Sequence, residues 1–573
     1  MLDIQNTYID YLLKIESELE KIRIADEVKD GFDFELRRKV IANTELLVPI
    51  IGAFSAGKSS LLNSFLGKSY LPVKLTPETA LATELRYSEE EYIDAVKADN
   101  TIVRFTIDEI SKITEISHEF KFLKMFINNQ ALKDLEPLIL VDMPGFESPL
   151  DLHNQAIMEY INRGVHYIVL TSIEDGTITR SMVRQLTDIQ EYGRDFSFFL
   201  SKTNLRAKSE AEDIAINIKE QIEEYFDVDK NIVLIDNDGG KSLQKILSSI
   251  DLEQLFENLF IDDLKDNYYN IMEVINTTIS SLGKDKNENK EVISELKESL
   301  QKLQNERDRL VSEAKERYSN SGVNRIVESV GKKLSDSSDE LVASGLSGGQ
   351  ESMSQLASEI IRHALVSSLK DSMNDISNDV VNSFSINLSS LNTSMSDFTM
   401  SDNWLEKMTD STSNMLNSAR ASLGNIIEDR NSSNNNDKMY KVITTILATT
   451  TNVLDPAIEL LIVVLPDLLR GLFEGNQQKK QKEQIQNTIL TQVIPSLKIE
   501  LRSKLPEIFN QQVQEMISNI SDKFEDTIEE KKQVIEATQK EINEKTIDIE
   551  KTIHLYKKVN SDVSTLANNI LYK

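Results

Sequence analysis

Eight consecutive residues could bind a phosphate group. Residues 52–59 read GAFSAGKS, the G-x-x-x-x-G-K-S pattern of a phosphate-binding loop. The glycines let the backbone curl so that its N–H groups point at a phosphate, and Lys58 can reach the β- and γ-phosphates of a nucleotide. The Ser59 hydroxyl is a candidate Mg²⁺ ligand. The predicted nucleotide-binding residues of this loop are Gly52, Phe54, Ser55, Ala56, Gly57, Lys58, Ser59 and Ser60, of which Ser55 and Lys58 are also candidate catalytic residues.

The flanks of this loop agree with the structure that the pattern requires. The apolar run 46–51 predicts a buried strand, and residues 58–66 read as a helix with Gly67 as its C-cap. A helix that starts at the loop adds its positive N-terminal end to the phosphate site. The alternative is a chance match in an ordinary loop, and the two correct flanks make it the weaker interpretation.

A second motif stands at the end of a later apolar run. Residues 138–145 read LILVDMPG, so Asp142 and Gly145 form a D-x-P-G motif after a predicted strand. The Asp142 carboxylate is a candidate Mg²⁺ ligand that would hold the ion through water, and Gly145 would let its backbone N–H approach the γ-phosphate. Phe146 follows at the position where many small GTPases carry a glutamine that positions water.

A segment between the two motifs has the position of a switch loop. Residues 71–80 read LPVKLTPETA and lack regular patterning. A threonine hydroxyl there could close over Mg²⁺ and the γ-phosphate. Thr79 is the first candidate, as metal ligand and catalytic residue, and Thr76 is the second. A plain loop threonine is the alternative for each.

The residues that would recognise the base follow a later predicted strand. Residues 198–204 read FFLSKTN, which places Lys202 as expected but puts Asn204 where an N/T-K-x-D motif has aspartate. An aspartate accepts two hydrogen bonds from guanine, whereas an asparagine amide offers one acceptor and one donor group. Guanine selectivity is therefore expected to be weaker than usual. A backbone contact near Asp236 and Asn237 could partly compensate.

The surrounding chain alternates strand and helix signals, which predicts an α/β domain over 41–254 with a mostly parallel sheet. Ligands bind such sheets at the carboxyl ends of the strands, where the loop 52–59 lies. The predicted strands are 46–51, 84–87, 101–106, 138–142, 165–171, 196–201 and 231–235, and the predicted helices are 58–66, 151–163, 180–192 and 210–226.

The rest of the chain reads as helices. Apolar stripes run along residues 4–22, 293–314 and 528–563, and we expect these three stripes to pack together as one bundle. Residues 345–349 (GLSGG) predict a break. The expected segments are a neck helix at 1–40, neck helices at 255–320, trunk helices at 321–439 and 475–527, and a returning neck helix at 528–573.

Residues 440–474 are the least polar part of the helical half. Asp455-Pro456 divides them into two apolar pieces, and basic residues flank them on both sides. An apolar wedge with a basic rim is what an interfacial membrane contact needs. The alternative, a helical hairpin buried in the bundle, is equally compatible with the sequence.

Composition limits the remaining possibilities. The 573 residues include no cysteine and carry a formal net charge of −30, which excludes disulfides and thiolate chemistry and argues against broad nucleic-acid binding. We see no signal peptide at the N-terminus and no ordinary transmembrane segment. We therefore expect a cytoplasmic protein, peripheral at the inner membrane if 440–474 contacts lipid.

Residues 52–67 (GAFSAGKSSLLNSFLG) resemble the extended loop of bacterial dynamin-like proteins and mitofusins. Residues 76–80 resemble their switch I, and residues 142–145 their switch II. The resemblance implies an α/β P-loop GTPase domain that binds GTP/GDP and Mg²⁺, homodimers formed through GTPase domains, a neck and trunk of helical bundles, and a lipid-binding paddle. The alternative function is a nucleotide-gated structural or partner-binding protein with little GTP turnover. A chromosome-organising ATPase is a poorer match, because its coiled-coil arm would lie between the two nucleotide motifs.

Overall fold

The computed structural model describes most of the chain and confirms an α/β domain followed by long helices. The described residues are 2–53, 55–72, 81–97, 99–145, 160, 163–191, 194–236, 238–389, 482–544 and 548–572. Several predictions fall outside them, namely Phe54, Thr76, Thr79, Phe146, Asn237 and the segment 440–474.

One sheet contains nine strands of the described chain. The strands are β1 Leu46–Gly52, β2 Thr83–Tyr87, β3 Tyr92–Val96, β4 Ile102–Phe105, β5 Phe122–Ile127, β6 Leu138–Asp142, β7 His166–Ser172, β8 Asp195–Ser201 and β9 Ile232–Leu234. Their spatial order is β4-β3-β5-β2-β6-β1-β7-β8-β9. Neighbours are parallel from β6 through β1, β7 and β8 to β9, and β2 is parallel to β5. The pairs β2–β6, β3–β4 and β3–β5 are antiparallel.

Two of these strands, β3 and β5, were not predicted from the sequence. Asp94 and Lys124 interrupt their apolar runs and lie opposite each other in the antiparallel pair. Asp94 tolerates burial because Arg104, on the next strand, donates hydrogen bonds of 2.7 and 2.9 Å to its two carboxylate oxygens. A charged residue can lie inside a buried strand when it pairs with a residue on a neighbouring strand. Such a residue interrupts the apolar run, so a search for apolar runs does not find the strand.

Helices cover both faces of the sheet. The helices of this part are α1 Asp3–Leu19, α2 Asp26–Asp30, α3 Phe34–Asn43, α4 Lys58–Leu66, α5 Ile110–Glu115, α6 Gln130–Leu135, α7 Arg180–Glu191, α8 Lys208–Phe226 and α9 Gly240–Leu247. Leu47 and Ile51 of β1 belong to a core with α7 and α8, whereas Val48 and Ile50 belong to a core with α4 and α9.

The second half of the described chain consists of long helices, three of which are directly preceded by an aspartate. The carboxylates of Asp251, Asp285 and Asp548 accept hydrogen bonds from backbone N–H groups of the first helical turn, which is N-capping. The helices are α10 Leu252–Gly283, α11 Lys286–Ala314, α12 Asn320–Asp336, α13 Ser338–Asn387, α14 Lys482–Thr488, α15 Ile494–Glu544 and α16 Ile549–Ile570, with π-helical turns at Lys315–Ser319 and Ile489–Val493.

The three apolar stripes do not share one core, so the prediction of a single bundle was wrong, although each of the first two stripes packs with part of the third. The stripe on α1 packs with α10 and α16, whereas the stripe on α11 packs with α15. The third stripe is divided between two helices, because α15 ends at Glu544 and α16 begins at Ile549. A stripe identifies which face is buried, but it does not identify the partner, and α10 supplied a partner that the stripes had not indicated.

Two further observations concern the helices. Gly349 has a φ of 73° inside α13, which confirms the break predicted at 345–349. Among the described residues, no helix combines the length and hydropathy that crossing a bilayer requires.

Candidate functional site

The predicted phosphate-binding loop connects the carboxyl end of β1 to the first residue of α4. Its two glycines are required for different reasons. Gly57 has a φ of 94°, a left-handed conformation that favours glycine. At Gly52, a Cβ atom would lie 2.2 Å from the backbone oxygen of Leu170 on β7, so only glycine allows this approach.

Lys58 lies in the curve of the loop, with only 8% of its surface exposed. Its Nζ donates hydrogen bonds to the backbone oxygens of Gly52, at 2.9 Å, and Ala53, at 3.0 Å. Phosphate oxygens carry full negative charge and are stronger acceptors than these carbonyls. The loop therefore holds a buried ammonium where a phosphate group could bind it.

Ser59 and Asp142, the two predicted Mg²⁺ ligands that the structure describes, are in direct contact. The pairing of β1 with β6 sets Asp142 beside Ile50, and the Ser59 hydroxyl donates a hydrogen bond of 2.7 Å to Asp142 Oδ2. The other oxygen, Oδ1, is buried and has no hydrogen-bond partner among the described residues. A hydroxyl beside a carboxylate with an unused oxygen is a donor set that fits Mg²⁺.

Burial raises the pKa of Asp142 to about 6, although the Ser59 hydrogen bond and the Lys58 charge act in the opposite direction. Protons should therefore compete with Mg²⁺ for this carboxylate near pH 6. We expect the Mg²⁺-dependent part of nucleotide binding to weaken by up to about tenfold per pH unit below pH 6. Calorimetric titrations between pH 5 and pH 8, with and without Mg²⁺, measure this effect.

Asp142→Asn is the control for that experiment, because it keeps the shape of the side chain and removes the titration. The Mg²⁺-dependent part of nucleotide binding by this variant should be weak and should not change between pH 5 and pH 8. Since the folded-state pKa lies above the unfolded one, Asp142 stabilises the metal-free fold at low pH and loses that contribution as pH rises through about 6. Without Mg²⁺, the variant should therefore melt at a higher temperature than the wild type at pH 8. A wild-type profile that is flat across pH 6 would contradict the assignment.

The predicted base-recognition residues follow β8 and lie beside the loop. The Ser201 hydroxyl donates a hydrogen bond of 2.6 Å to the backbone oxygen of Ala56. Lys202, with a left-handed φ of 56°, forms an ion pair of 2.5 Å with Glu174, which follows β7. Asn204 is exposed in the next turn. The ends of β1, β7 and β8 are thus tied together around this edge of the sheet.

The structure brings some of the predicted residues together and separates others. Lys58, Ser59 and Asp142 form one cluster, and the buried Gly145 follows Asp142 at the end of β6. Ser55 is exposed on the loop, and Ser60 is exposed in the first turn of α4. Phe54, Thr79 and Asn237 lie outside the described residues.

Ser201 and Glu174 contribute contacts at this edge of the sheet that the sequence motifs do not indicate. Ser201 could have been found, since it directly precedes Lys202 at a predicted strand end. Glu174 could not, because its partner lies 28 positions away, directly after another strand. Only the neighbouring positions of β7 and β8 in the sheet reveal that pair.

A G-x-x-x-x-G-K-S loop at the carboxyl edge of a mostly parallel sheet, with a serine and an aspartate in contact beside it, is the arrangement typical of P-loop nucleotide-binding domains. The model of the dynamin family matches residues 48–202. Over these residues the chain is similar to the N-terminal part of dynamin-family proteins.

Dynamin-like protein 2 of Campylobacter jejuni is 36% identical over 101 residues, or 18% of this chain and 17% of that protein. The chain spans less than half the length of the curated relatives that it matches. A solved bacterial dynamin pair, described as tethering membranes, is 17% identical over 99% of this chain and 82% of its own, with a TM-score of 0.39.

The bacterial dynamin GTPase LeoA from ETEC is 13% identical over 98% of both chains, with a TM-score of 0.30. An identity of 13% does not establish that the two are the same protein.

Proposed function

We propose that this protein is a dynamin-like GTPase that binds GTP with Mg²⁺ and couples its nucleotide state to membrane binding or remodelling. The observation that carries the nucleotide half is the contact between Ser59 and Asp142, with one Asp142 oxygen buried and unused. The dynamin-family match over 48–202 supports a guanine nucleotide as the substrate.

In this proposal Lys58 and the backbone N–H groups of the loop bind the phosphates. Ser59 and Asp142 hold Mg²⁺, which when bound neutralises charge on the phosphate oxygens. Lys202 and Asn204 face the base. Thr79 and Asn237, taken from the sequence, would complete the metal and base sites.

The membrane half of the proposal rests on the sequence of residues 440–474. Their apolar character and basic flanks suit insertion at a lipid interface. We further propose a cytoplasmic protein that contacts the inner membrane peripherally and forms homodimers through its GTPase domains. Turnover would then depend on dimerisation or lipid.

A second candidate function is a nucleotide-gated structural or partner-binding protein with little turnover. Two observations favour it. Asn204 replaces the aspartate that gives guanine selectivity, and Phe146 stands where many GTPases carry the glutamine that orients water. Both substitutions affect rate or selectivity and leave phosphate binding intact.

Phosphate release in the presence of lipid separates the two functions. We expect purified protein with GTP and Mg²⁺ to release phosphate slowly, and at least about tenfold faster with vesicles of phosphatidylethanolamine and phosphatidylglycerol. Ser59→Ala is the matched control, since it removes one hydroxyl from the metal site and should suppress both rates. Vesicle binding without GTP turnover would support the second function. If the intact protein showed neither vesicle binding nor GTP turnover, the proposed membrane function would be rejected.

A further inference from the structure

We propose that Glu84 is a positioning residue for GTP, because its carboxylate fixes the points at which two segments of the predicted γ-phosphate site rejoin the sheet. The switch loop predicted at 71–80 leads into β2, where Glu84 is the second residue. The chain leaves β6 after Gly145 and is next described at Tyr160. Tyr160 and Arg163 both contact Glu84. The effect on GTP rests on the proposed function, whereas the contacts of Glu84 do not.

The Glu84 carboxylate is fully buried and accepts hydrogen bonds from three side chains. The Tyr160 hydroxyl donates to Oε1 at 2.8 Å, and Arg163 Nη2 lies 3.4 Å from the same oxygen. Arg86, on the same strand, donates to Oε2 from Nε at 2.9 Å and from Nη2 at 2.6 Å. One oxygen thus holds the chain that returns from β6, and the other holds β2. We call these four residues the Glu84 cluster.

The Glu84 cluster is held together by charge. Burial alone would raise the pKa of Glu84, but the charges of Arg86 and Arg163 outweigh it and hold the pKa below its ordinary value. The carboxylate is therefore ionised at neutral pH. Hydrogen bonds to an ionised acceptor are about twice as strong as those between neutral groups. Removing the charge from Glu84 should therefore loosen both residues of the returning chain.

A second contact holds Tyr160 from the other side. Its backbone oxygen accepts hydrogen bonds from the N–H of Gly164, at 2.9 Å, and from the hydroxyl of Tyr167, at 2.8 Å. Tyr167 lies on β7, three strands away from β2 in the sheet. Tyr160 is therefore fixed between two distant strands, and Glu84 supplies the only charged contact that the structure describes for the Tyr160 hydroxyl.

Glu84 does not touch the predicted metal site. It is paired with Val141 of β6, and its neighbour Thr83 is paired with Asp142. Because paired residues share a face of the sheet and successive residues alternate, Glu84 and Asp142 lie on opposite faces. Any effect of Glu84 on nucleotide must therefore pass through the chain that it anchors.

The anchor should matter for GTP and much less for GDP. A protein segment that is ordered around a ligand loses less freedom on binding when its ends are already fixed. Both segments that Glu84 anchors are predicted to approach the γ-phosphate, which GDP lacks. An ordinary buried ion cluster would instead stabilise the domain and affect both nucleotides equally.

Hydrogen exchange of the nucleotide-free protein tests the anchor itself. Glu84→Gln keeps the shape of the side chain, and Arg86 retains its ion pair with Glu45, at 2.5 and 2.6 Å, so we expect this variant to fold. Mass spectrometry of peptides that contain Gly164 should show exchange about tenfold faster than in the wild type. Unchanged exchange would overturn the anchor.

Two further variants complete the exchange experiment. Tyr160→Phe removes only the hydroxyl and keeps the ring beside Phe122, so it should act in the same direction and tests the anchor even if Glu84→Gln does not fold. Asp94→Asn is the matched control. Asp94 is a buried carboxylate two strands away that pairs with Arg104, and its loss should leave the exchange near Gly164 unchanged.

Calorimetry and phosphate release test the effect on GTP separately. Glu84→Gln should bind a non-hydrolysable GTP analogue about fivefold or more weakly and GDP within about twofold of the wild type. Its kcat for GTP should fall by about tenfold or more, because small displacements of positioning groups lower rates strongly. Equal losses for the analogue and GDP, or no loss, would overturn this effect. If the wild type bound neither nucleotide, the proposed function would fail, and hydrogen exchange would still decide whether Glu84 is an anchor.

Discussion

Replacing Lys58 with alanine is expected to abolish nucleotide binding. The ammonium is buried in the curve of the loop and hydrogen-bonded to two loop carbonyls, so its loss removes the cation that the loop itself holds at the phosphate site. Loss of one partner from a buried charge contact costs about 2–5 kcal/mol, which weakens binding by roughly thirty-fold to several thousand-fold. Calorimetric titration with GTP, GDP and ATP measures the loss.

Lys68→Ala is the matched control for this variant. Lys68 follows α4 and is exposed, with its ammonium 4.5 Å from the Tyr70 ring. The two variants change net charge equally, so a general electrostatic effect would lower affinity in both. Retained binding by Lys58→Ala would contradict the assignment of the loop. The wild-type titrations also compare the bases, and we expect GTP to bind more tightly than ATP by a modest factor because Asn204 replaces aspartate.

The phosphate-binding part of the site was predictable because its determinants are local. Residues 46–66 contain the strand, the loop and the helix in one continuous stretch, and each has its own pattern. Asp142 was also predictable, because its motif stands at the end of an apolar strand. Parallel pairing of β1 with β6 then places Asp142 beside Ser59 without further information.

The rest of the site depends on contacts between distant parts of the chain. Glu174 reaches Lys202 only because β7 and β8 are neighbours, and Ser201 reaches Ala56 only because β8 ends beside the loop. The local sequence pattern predicts neither the adjacency of β7 and β8 nor the position of the end of β8 beside the loop. Strand order is a property of the whole sheet, so a search along the chain does not give it.

The helical half shows the same limit on a larger scale. Apolar stripes correctly identified buried faces on α1, α11 and α15, and Gly349 was correctly placed at a break. The stripes predicted a contact between α1 and the segment that contains α16, but they did not indicate that α10 packs against both helices. Stripes of similar width and hydrophobicity can pair in many combinations, and loop lengths and buried polar contacts select among them.

Gly52→Ala is expected to destabilise the domain and the nucleotide site together. The added Cβ would lie 2.2 Å from the Leu170 backbone oxygen and 3.1 Å from its carbonyl carbon. Because these are backbone atoms of the paired strand, no side-chain rotation relieves the clash, and the ends of β1 and β7 must separate. Overpacking of this kind costs about 1–3 kcal/mol or more. Thermal unfolding and calorimetric titration with GTP measure the two effects.

Gly283→Ala supplies the control, since a Cβ at this end of α10 would contact nothing within 4 Å. Alanine also restricts the unfolded chain more than glycine does, so this variant should be as stable as the wild type or slightly more stable. The comparison separates two roles of Gly52. If Gly52 mattered only through the conformational freedom of the unfolded backbone, both variants would change the stability by similar small amounts. Close approach of β1 to β7 instead predicts a large loss of stability in Gly52→Ala alone. Equal melting temperatures for Gly52→Ala and the wild type would show that the strand ends can separate without cost.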